Sequence, residues 1–255
     1  MRKGMKMLLV VGVVIASLYG VAFAEQAGKD WYIAVRGGFQ PYTMEMSGRV
    51  ANREFDAKAD LSDILDKTDT TLFGGEVEFG KGRWFTFLNG SSQNSKLEQG
   101  DTTVGSKLDF TEQTLNWMVG YRALMRALGE GRTMSVDVMA GVFYVNVENE
   151  MNIYSPILGN ISHNERVEWF DPMVGARLYY PFTKKFGAGA LAQIGGGGSR
   201  LHYVASANLA YSFTHWFALS AGYKYWYWRH VEDGARVSEL EQKVYGPVIG
   251  VQFKF

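Results

Sequence analysis

Apolar and polar residues alternate along most of this chain, and the alternation is clearest in its last segment, GPVIGVQFKF. There Val251, Phe253 and Phe255 share one face, while Gln252 and Lys254 fall on the other. A period of two residues predicts a β-strand with one apolar face. The same pattern recurs at 30–46, 69–80, 83–96, 106–122, 132–148, 164–181, 185–196, 202–213, 216–230 and 240–255. Most of these ten segments reach the roughly 9–11 residues with which a tilted strand crosses a bilayer.

The connections between the predicted strands alternate in length. GKGR, TKK and TH are tight turns, and ALMRALGEG is a longer member of the same set. Between them lie larger links, at 47–68, 97–105, 149–163, 197–201 and 231–239. Short turns at one end and longer loops at the other are typical of outer-membrane barrels. The segment 47–68 has room for another hairpin, so eight or twelve strands remain alternatives to ten.

Aromatic residues mark both ends of the predicted strands. At the short-turn end these are Trp31, Phe79, Trp84, Tyr121, Phe182, Phe186, Phe213, Trp216 and Phe255. A second belt is predicted from Tyr42, Tyr144, Trp169, Tyr203, Tyr227 and Tyr245. Aromatic girdles of this kind lie at lipid–water interfaces, whereas a soluble β-sandwich concentrates aromatics in its core. The pattern therefore predicts an all-β fold, a transmembrane antiparallel up-and-down β-barrel.

The first 24 residues are typical of a secretory signal peptide. Arg2 and Lys3 open a basic segment, the apolar run MLLVVGVVIASLYG follows, and an A-x-A cleavage site ends at Ala24. The run is shorter than the roughly 20 residues of a spanning helix, so we favour cleavage over an uncleaved anchor. We expect an exported barrel domain, 25–255.

Composition narrows the possible chemistry. The chain has no cysteine, which excludes disulfides, thiolate metal sites and a cysteine nucleophile. Its 26 basic and 26 acidic residues balance, so no broad attraction to nucleic acid is expected. No motif predicts a cofactor. The run of four glycines that begins at Gly195 lacks a phosphate-loop pattern and is expected to form a loop or bulge.

The parity of each strand assigns a polar set to the inside of the barrel. Its members are Arg36, Glu76, Glu78, Glu112, Thr114, Asn116, Asp137, Asp171, Arg177, Gln193 and Lys224. Both signs of charge occur, and unpaired charges in a narrow lumen are costly, so we expect structural ion pairs and hydrogen bonds. The alternative is that these residues form the selectivity lining of a pore.

Aromatic and histidine residues cluster towards the outer mouth. Trp169, Trp226, Trp228 and His230 are candidates for a ligand pocket, although packing against loops over the mouth is the favoured interpretation. His163 and His202 fall at the same level as His230, whereas His215 lies in a turn at the other end. Such rim histidines can bind a metal or act as a base, but we expect them to be solvated.

Several segments carry a resemblance to a known family. WFDPMVGARLYY, GYKYWYW, YGPVIGVQFKF and LSDILDKTD with the later GKGRW resemble a widespread family of Gram-negative outer-membrane β-barrel proteins, small OmpA/OmpX-like barrels in the broad sense. The resemblance covers most of the mature chain through short motifs. The sequence departs from the family at Gln193, where an acidic residue is expected before the glycines. The alternating end at Val251, Phe253 and Phe255 also resembles the signal read by the barrel assembly machinery.

The resemblance implies a fold and a location in the bacterial outer membrane, with both termini in the periplasm. The implied partners are outer-membrane lipid and, during biogenesis, the assembly machinery and periplasmic chaperones. The leading functional expectation is a non-enzymatic barrel of structural or interaction role with a lumen largely filled by side chains. The first alternative is a narrow channel or small-ligand translocator lined by Lys224, Arg177, Glu76 and Glu112. The second is a membrane-embedded hydrolase that uses the rim histidines.

Overall fold

Every regular element in the described part of the chain is a β-strand. A computed structural model describes residues 31–40, 42–50, 53–59, 71–101, 104–155, 159–231 and 237–255. The predicted signal peptide and its cleavage site at Ala24 lie outside these residues. Nowhere in the same ranges is there a helix with the length and hydropathy of a membrane span.

Twelve strands form one antiparallel sheet. They are β1 (Tyr32–Phe39), β2 (Thr43–Val50), β3 (Arg53–Ala59), β4 (Thr71–Lys81), β5 (Trp84–Asp101), β6 (Val104–Gly129), β7 (Arg132–Ser155), β8 (Gly159–Pro181), β9 (Phe186–Gly195), β10 (Ser199–Ser212), β11 (Phe217–Val231) and β12 (Val237–Lys254). Each strand from β4 to β12 pairs with the next, and β1 pairs with both β4 and β12. The predicted ten-stranded up-and-down barrel is therefore confirmed as a closed ring of β1 and β4–β12.

The first predicted strand, 30–46, is divided in two. β12 pairs with β1 from Ala34 to Phe39 and then with β2 from Thr43 onwards. Pro41 falls in the gap, and a proline lacks the N–H that a central strand must donate. β2 then turns back into β3. The segment 47–68 thus holds part of an additional hairpin outside the ring, while LSDILDKTD lies outside the described residues.

Several predicted connections are in fact strand. β6 runs to Gly129 and β7 starts at Arg132, so most of ALMRALGEG is paired. Register irregularities between Arg122 and Leu124, and between Ala127 and Gly129, break the alternation that predicts strands. The predicted link 197–201 is likewise strand from its third residue, because β10 starts at Ser199.

The predicted links 97–105 and 149–163 also belong mainly to strands. The β5–β6 ladder continues to the pair Asp101–Val104, and the β7–β8 ladder to Ser155–Gly159. Polar residues outnumber apolar ones in these segments, so a search for long runs of alternating apolar residues does not find them. We call the end of the barrel with these long hairpins the loop end, and the end with the β4–β5, β6–β7, β8–β9 and β10–β11 turns the turn end.

Large apolar side chains cover the outside of the ring. Each of the ten ring strands contributes at least one exposed side chain, such as Trp117 (54 %), Val174 (57 %) and Ile249 (59 %). Of the nine aromatics predicted at the turn end, Tyr121 is half-buried and eight are exposed: Trp31, Phe79, Trp84, Phe182, Phe186, Phe213, Trp216 and Phe255. A continuous apolar belt with an aromatic rim fits a surface that faces lipid.

The predicted second aromatic belt needs a correction. Tyr42 and Trp169 are buried inside the barrel, at 1 % and 5 % exposure, and so do not face lipid. Tyr203, Tyr227 and Tyr245 are half-buried. The first two of these stack with ring centroids 4.9 Å apart. The loop end therefore has fewer exposed aromatic residues than the turn end.

Inside the turn end, aromatic rings cover glycines of the neighbouring strand. A Cβ atom at Gly80 would lie 2.1 Å from the Tyr32 ring, and one at Gly120 would lie 2.1 Å from the Phe85 ring. Glycine at these two places lets an inward-facing ring lie flat across the adjacent strand. Both aromatic residues contact the polar network described next. The Tyr32 hydroxyl donates to Glu78, and the guanidinium carbon of Arg177 lies 4.5 Å from the centroid of the Phe85 ring.

Candidate functional site

A network of ion pairs fills the turn-end half of the lumen. Arg36 contacts Glu76 and also lies 3.0 Å from Glu78. Arg177 lies 2.7 Å from the same Glu78 and 2.9 Å from Asp137. All five residues are buried. Since Glu78 is on β4 and Arg177 is on β8, the network ties opposite walls of the barrel together.

A third arginine balances the charge of this network. Arg122 donates from Nη2 to the Tyr32 hydroxyl at 2.6 Å, and Tyr32 donates to Glu78. Its guanidinium carbon also lies 5.1 Å from the centroid of the Tyr32 ring. Three arginines therefore face three carboxylates in one buried cluster. Such matching is needed because an unpaired charge in a low-dielectric interior costs several kcal/mol.

Uncharged polar groups and two charged side chains, Glu112 and Lys224, occupy the middle of the lumen. Asn116 donates to the Gln193 side chain at 3.3 Å, and Gln193 points its amide at the Met139 sulfur. Glu112 is 1 % exposed, and neither of its carboxylate oxygens has a hydrogen-bond partner within the described residues. Methionine, valine and phenylalanine side chains pack between these groups. The middle of the lumen is thus a mixed polar and apolar core.

Asp171 organises the loop-end half of the lumen. Its carboxylate accepts hydrogen bonds from the Ser199 N–H at 2.7 Å and the Ser199 hydroxyl at 2.8 Å. It also accepts from His202 Nδ1 at 2.9 Å and from Trp169 Nε1 at 3.0 Å. Asp171 is 0 % exposed. Four donors on one buried carboxylate stabilise its charge without an arginine or lysine contact.

The ring of His202 is held in one tautomer. Trp226 donates its indole N–H to His202 Nε2 at 2.7 Å, and an indole N–H can only donate. Nε2 therefore accepts, Nδ1 carries the proton that goes to Asp171, and the ring is neutral. A catalytic triad would need a serine hydroxyl on Nε2. Ser199 instead bonds the same carboxylate as His202, so this arrangement does not activate a nucleophile.

The candidate outer-mouth group is packed together and buried. Trp169 contacts Trp228 with centroids 4.9 Å apart and stacks on His230 at 4.6 Å. Trp226 lies lower, against Phe143 and His202. Asp171 joins the two groups through its bonds to Trp169 and His202. Within the described residues these side chains form a packed layer across the mouth.

The glycine run closes this layer at the side. Gly198 donates to the Phe170 carbonyl at 3.0 Å, and its own carbonyl accepts from His230 Nδ1 at 2.8 Å. A Cβ atom at Gly198 would lie 2.4 Å from Trp169. Glycine is therefore needed for the β9–β10 connection to approach the indole, and the expectation of a loop rather than a phosphate cradle fits this geometry.

The three histidines whose side chains are described do not form one site. The expectation of solvated rim histidines is wrong for His202 and His230, which are buried in separate contacts, while His215 is exposed at the turn end. The side chain of His163 and residues 232–236, which include Glu232 and Asp233, lie outside the described residues. Within the described ranges, no group of three or more His, Asp and Glu side chains could hold a metal ion.

The structure separates the predicted lumen residues into three layers. Arg36, Glu76, Glu78, Asp137 and Arg177 meet in the ion-pair network at the turn end. Asn116, Gln193, Glu112 and Lys224 lie in the middle, and Thr114 is also buried, with its hydroxyl 2.6 Å from that of Ser91. Asp171 belongs to the loop-end layer.

Two important residues are missing from the sequence-based set. Arg122 falls at the predicted end of β6, next to a segment interpreted as a turn, although it has the same parity as Glu112 and Asn116. Ser199 falls in a predicted link. Extending the even parity of Glu112, Thr114 and Asn116 through Met118 and Gly120 finds Arg122. Nothing in the alternation identifies Ser199.

The predicted C-terminal signal lies on the closing strand. Phe255 exchanges two backbone hydrogen bonds with Ile33, at 2.8 and 3.1 Å. Phe253 packs between Trp216 and Phe217, with ring centroids at 6.0 and 5.4 Å. Val251 pairs with Gly37 of β1 and Leu219 of β11. Recognition of these three residues by the assembly machinery stays a prediction.

Comparison with solved structures places the fold among outer-membrane barrels. The outer membrane protease OmpT from Escherichia coli aligns over 94 % of this chain and 100 % of its own, with 11 % identity and a TM-score of 0.57. The translocator domain of the autotransporter NalP from Neisseria meningitidis covers 99 % and 95 %, with 12 % identity and a TM-score of 0.45. The attachment invasion locus protein Ail of Yersinia pestis covers 89 % and 99 %, with 8 % identity and a TM-score of 0.36. No protein-family model and no curated relative matches the sequence.

The closed ring, its apolar belt and the likeness to OmpT together define the class of this protein. It is an integral outer-membrane β-barrel. At 11 % identity the likeness describes the fold alone, and the activity in the OmpT name belongs to OmpT.

Proposed function

We propose that this protein is a non-enzymatic outer-membrane barrel that acts by binding partners at its loop end. The observation that carries the proposal is the extension of β5–β8 beyond the apolar belt. Among the β6 residues whose exposure is described, the exposed large apolar residue nearest the loop end is Leu115, yet the β6–β7 ladder continues to the pair Gly105–Tyr154. About ten further residues correspond to roughly 30 Å of strand. A sheet of this reach offers a large surface for recognition.

The contents of the lumen support a role that does not depend on transport. The ion-pair network, the mixed middle layer and the packed tryptophans occupy three successive levels of the interior. Small barrels are commonly filled by side chains in this way. A partner must then bind outside the lumen, and the long hairpins at the loop end offer the largest surface for it.

Shortening the hairpins at the loop end tests the proposal. Lys96 pairs with Asp109, and Glu150 pairs with Asn164, so Asn-Gly turns can replace 97–108 and 151–163 without changing the register. The matched control replaces 127–133 of the β6–β7 hairpin at the turn end, since Arg126 pairs with Met134. Heat-dependent gel mobility reports whether each variant folds.

The measurement is adherence of cells that express each variant, to immobilised extracellular-matrix proteins and to one another. We expect the full chain to adhere several-fold above empty-vector cells, the loop-end variant to fall to that background, and the turn-end variant to keep full adherence. Equal adherence of the two shortened variants, or none by the full chain, would contradict the proposal.

The same proposal requires the loop end to face outwards and both termini to face the periplasm. The chain has no cysteine, so single cysteines report orientation cleanly. In intact cells, a membrane-impermeant maleimide should label Gln99→Cys and leave Thr214→Cys unlabelled until the outer membrane is permeabilised. The reverse labelling pattern would refute this orientation.

Conductance in planar bilayers tests the channel alternative. We expect the refolded 25–255 chain to give no reproducible current steps, because packed side chains fill the lumen at three successive levels. Ion-selective steps that change with Lys224→Glu would favour the narrow channel instead.

A further inference from the structure

A concave vestibule of about 390 Å³ opens at the turn end, below the ion-pair network. Four cationic side chains line it: Arg122, Lys184, Lys185 and Lys254. His215 also lies in its wall, and none of the described side chains that line it is acidic. The four cations come from three places far apart in the sequence: the turn-end part of β6, the β8–β9 turn and the end of β12. Only the closed barrel brings them together.

The backbone that carries these cations is fixed by hydrogen bonds. The Ser212 N–H donates to the Lys185 carbonyl at 2.8 Å, which joins the β8–β9 turn to β10. The Lys254 N–H donates to the Trp216 carbonyl at 2.9 Å, and the Arg122 N–H donates to the Arg83 carbonyl at 2.9 Å. The backbone positions from which the cationic side chains extend are therefore fixed before any ligand arrives, which lowers part of the entropy cost of binding.

Threonine side chains hold the two turns that form the rim. Thr183 Oγ1 accepts from the backbone N–H of Lys185 at 3.2 Å and of Phe186 at 2.9 Å. Thr214 Oγ1 accepts in the same way from Phe217 at 3.0 Å. Both turns are thus ordered by their own side chains.

Carboxylates deeper in the lumen do not cancel the positive charge of the rim. The nearest of them, Glu78, already accepts from Tyr32 and contacts Arg36 and Arg177. Arg122 belongs to that balanced network, while Lys184, Lys185 and Lys254 add positive charge to the wall of the vestibule. The Lys254 ammonium also lies 5.1 Å from the centroid of the Tyr32 ring. A concave site lined by one sign of charge concentrates counter-ions.

We propose that the turn-end vestibule binds a phosphate-bearing anion. Lysine ammonium groups bind phosphate oxygens as point charges, and three of them around one cavity favour a multiply charged group. The volume exceeds that of a phosphate, and Phe213, Phe217 and Phe255 in the wall can contact an organic substituent. The phosphate can come from a soluble phosphate ester or from a phospholipid headgroup of the surrounding leaflet. This site is separate from the loop end, so it does not depend on the proposed function.

Calorimetric titration of pyrophosphate into the refolded 25–255 chain, in an uncharged detergent, tests the site. The test variants are Lys184→Gln with Lys185→Gln, and Lys254→Gln. The matched control is Lys81→Gln, which removes an exposed lysine from another turn of the same rim, outside the vestibule. Each charge-assisted contact is worth about 1.5–3 kcal/mol, so we expect each test variant to bind at least about tenfold more weakly. The control should bind like the parent chain.

Micelles doped with phosphatidylglycerol distinguish a phospholipid headgroup from a soluble phosphate ester as the source of the phosphate. If the lipid headgroup is the ligand, phosphatidylglycerol competes with pyrophosphate and phosphatidylcholine does not. If the ligand is soluble, neither lipid competes, and both results support the site. The proposal is overturned if pyrophosphate does not bind to the folded parent chain, or if Lys81→Gln weakens binding as much as the vestibule variants do.

Discussion

The two halves of the lumen stabilise buried carboxylates by different means. At the turn end, Glu76, Glu78 and Asp137 meet arginines, with ion-pair distances of 2.7–3.0 Å for Glu78 and Asp137. At the loop end, Asp171 is equally buried but receives its hydrogen bonds from a serine, a histidine and a tryptophan. One half therefore matches charge with charge, and the other surrounds a single charge with neutral dipoles.

The difference shows how each half would respond to losing one group. Removing a partner from an ion pair leaves an opposite charge buried without compensation, which costs about 3–5 kcal/mol. Removing one of several neutral donors leaves the remaining hydrogen bonds in place, and each is worth about 0.5–1.5 kcal/mol, or more when its acceptor is charged. Removing one polar group from the turn end should therefore lower stability more than removing one from the loop end.

The largest expected effect is at Arg177. Arg177→Met leaves Glu78 with Arg36 as its remaining arginine and removes the cation that faces Asp137, so we expect a loss of about 3–5 kcal/mol in the free energy of unfolding. Urea unfolding in phospholipid vesicles, followed by tryptophan fluorescence, measures it. The control is Arg166→Met, whose side chain is 56 % exposed and whose ion pairs should contribute about 0–1 kcal/mol. Similar losses for both variants would remove the distinction between buried and exposed pairs.

A smaller effect is expected at Asp171. Asp171→Asn keeps the shape of the side chain but puts an NH₂ group among four donors, so we expect a loss of about 2–3 kcal/mol. Glu148→Gln, with a side chain 48 % exposed, is the matched loss of one carboxylate charge and should change stability by under about 1 kcal/mol. If Asp171→Asn were as stable as the parent chain, the Asp171 layer would not differ from ordinary packing.

The smallest expected effect on stability is the difference between variants of Trp226 and Trp228, which lie on the same strand, β11. Trp226 donates to His202, whereas the indole N–H of Trp228 has no hydrogen bond within the described residues. Replacing either by phenylalanine removes a similar volume, so the difference between the two losses should be about 1 kcal/mol, with Trp226→Phe the less stable. In ¹⁵N NMR spectra, Trp226→Phe should also change the Nε2 resonance of His202 more than Trp228→Phe does. A larger loss for Trp228→Phe would contradict the assigned bond.

The barrel was predictable because lipid on the outside and a narrow lumen on the inside impose opposite preferences on successive residues. That alternation places Trp117 outside and Asn116 inside without any knowledge of the partners. The alternation is lost where neither the lipid nor the narrow lumen acts on the strand. The β5–β8 extensions have polar residues on both faces, and the bulges near Arg122 shift the parity, so these segments resemble loops in the sequence.

The candidate site was predictable as a set of inward residues but not as a set of contacts. Parity assigns Glu78 and Arg177 to the lumen, yet their meeting depends on the curvature of the ring and on strand stagger, which a single sequence does not reveal. The Asp171 layer also depends on Ser199, which follows an irregular connection. Its backbone N–H reaches Asp171 because glycines allow that connection to fold closely over Trp169.

The contact between Arg177 and Glu78 has a consequence for the rate of unfolding. The two residues are 99 positions apart in the chain and on strands four places apart around the ring. We expect their interaction to form when the barrel closes, late in folding, and so to have little effect on an earlier transition state. Interactions of that kind mainly slow the escape from the native state. The buried ion pairs should therefore lower the unfolding rate of the assembled barrel more than they raise its folding rate.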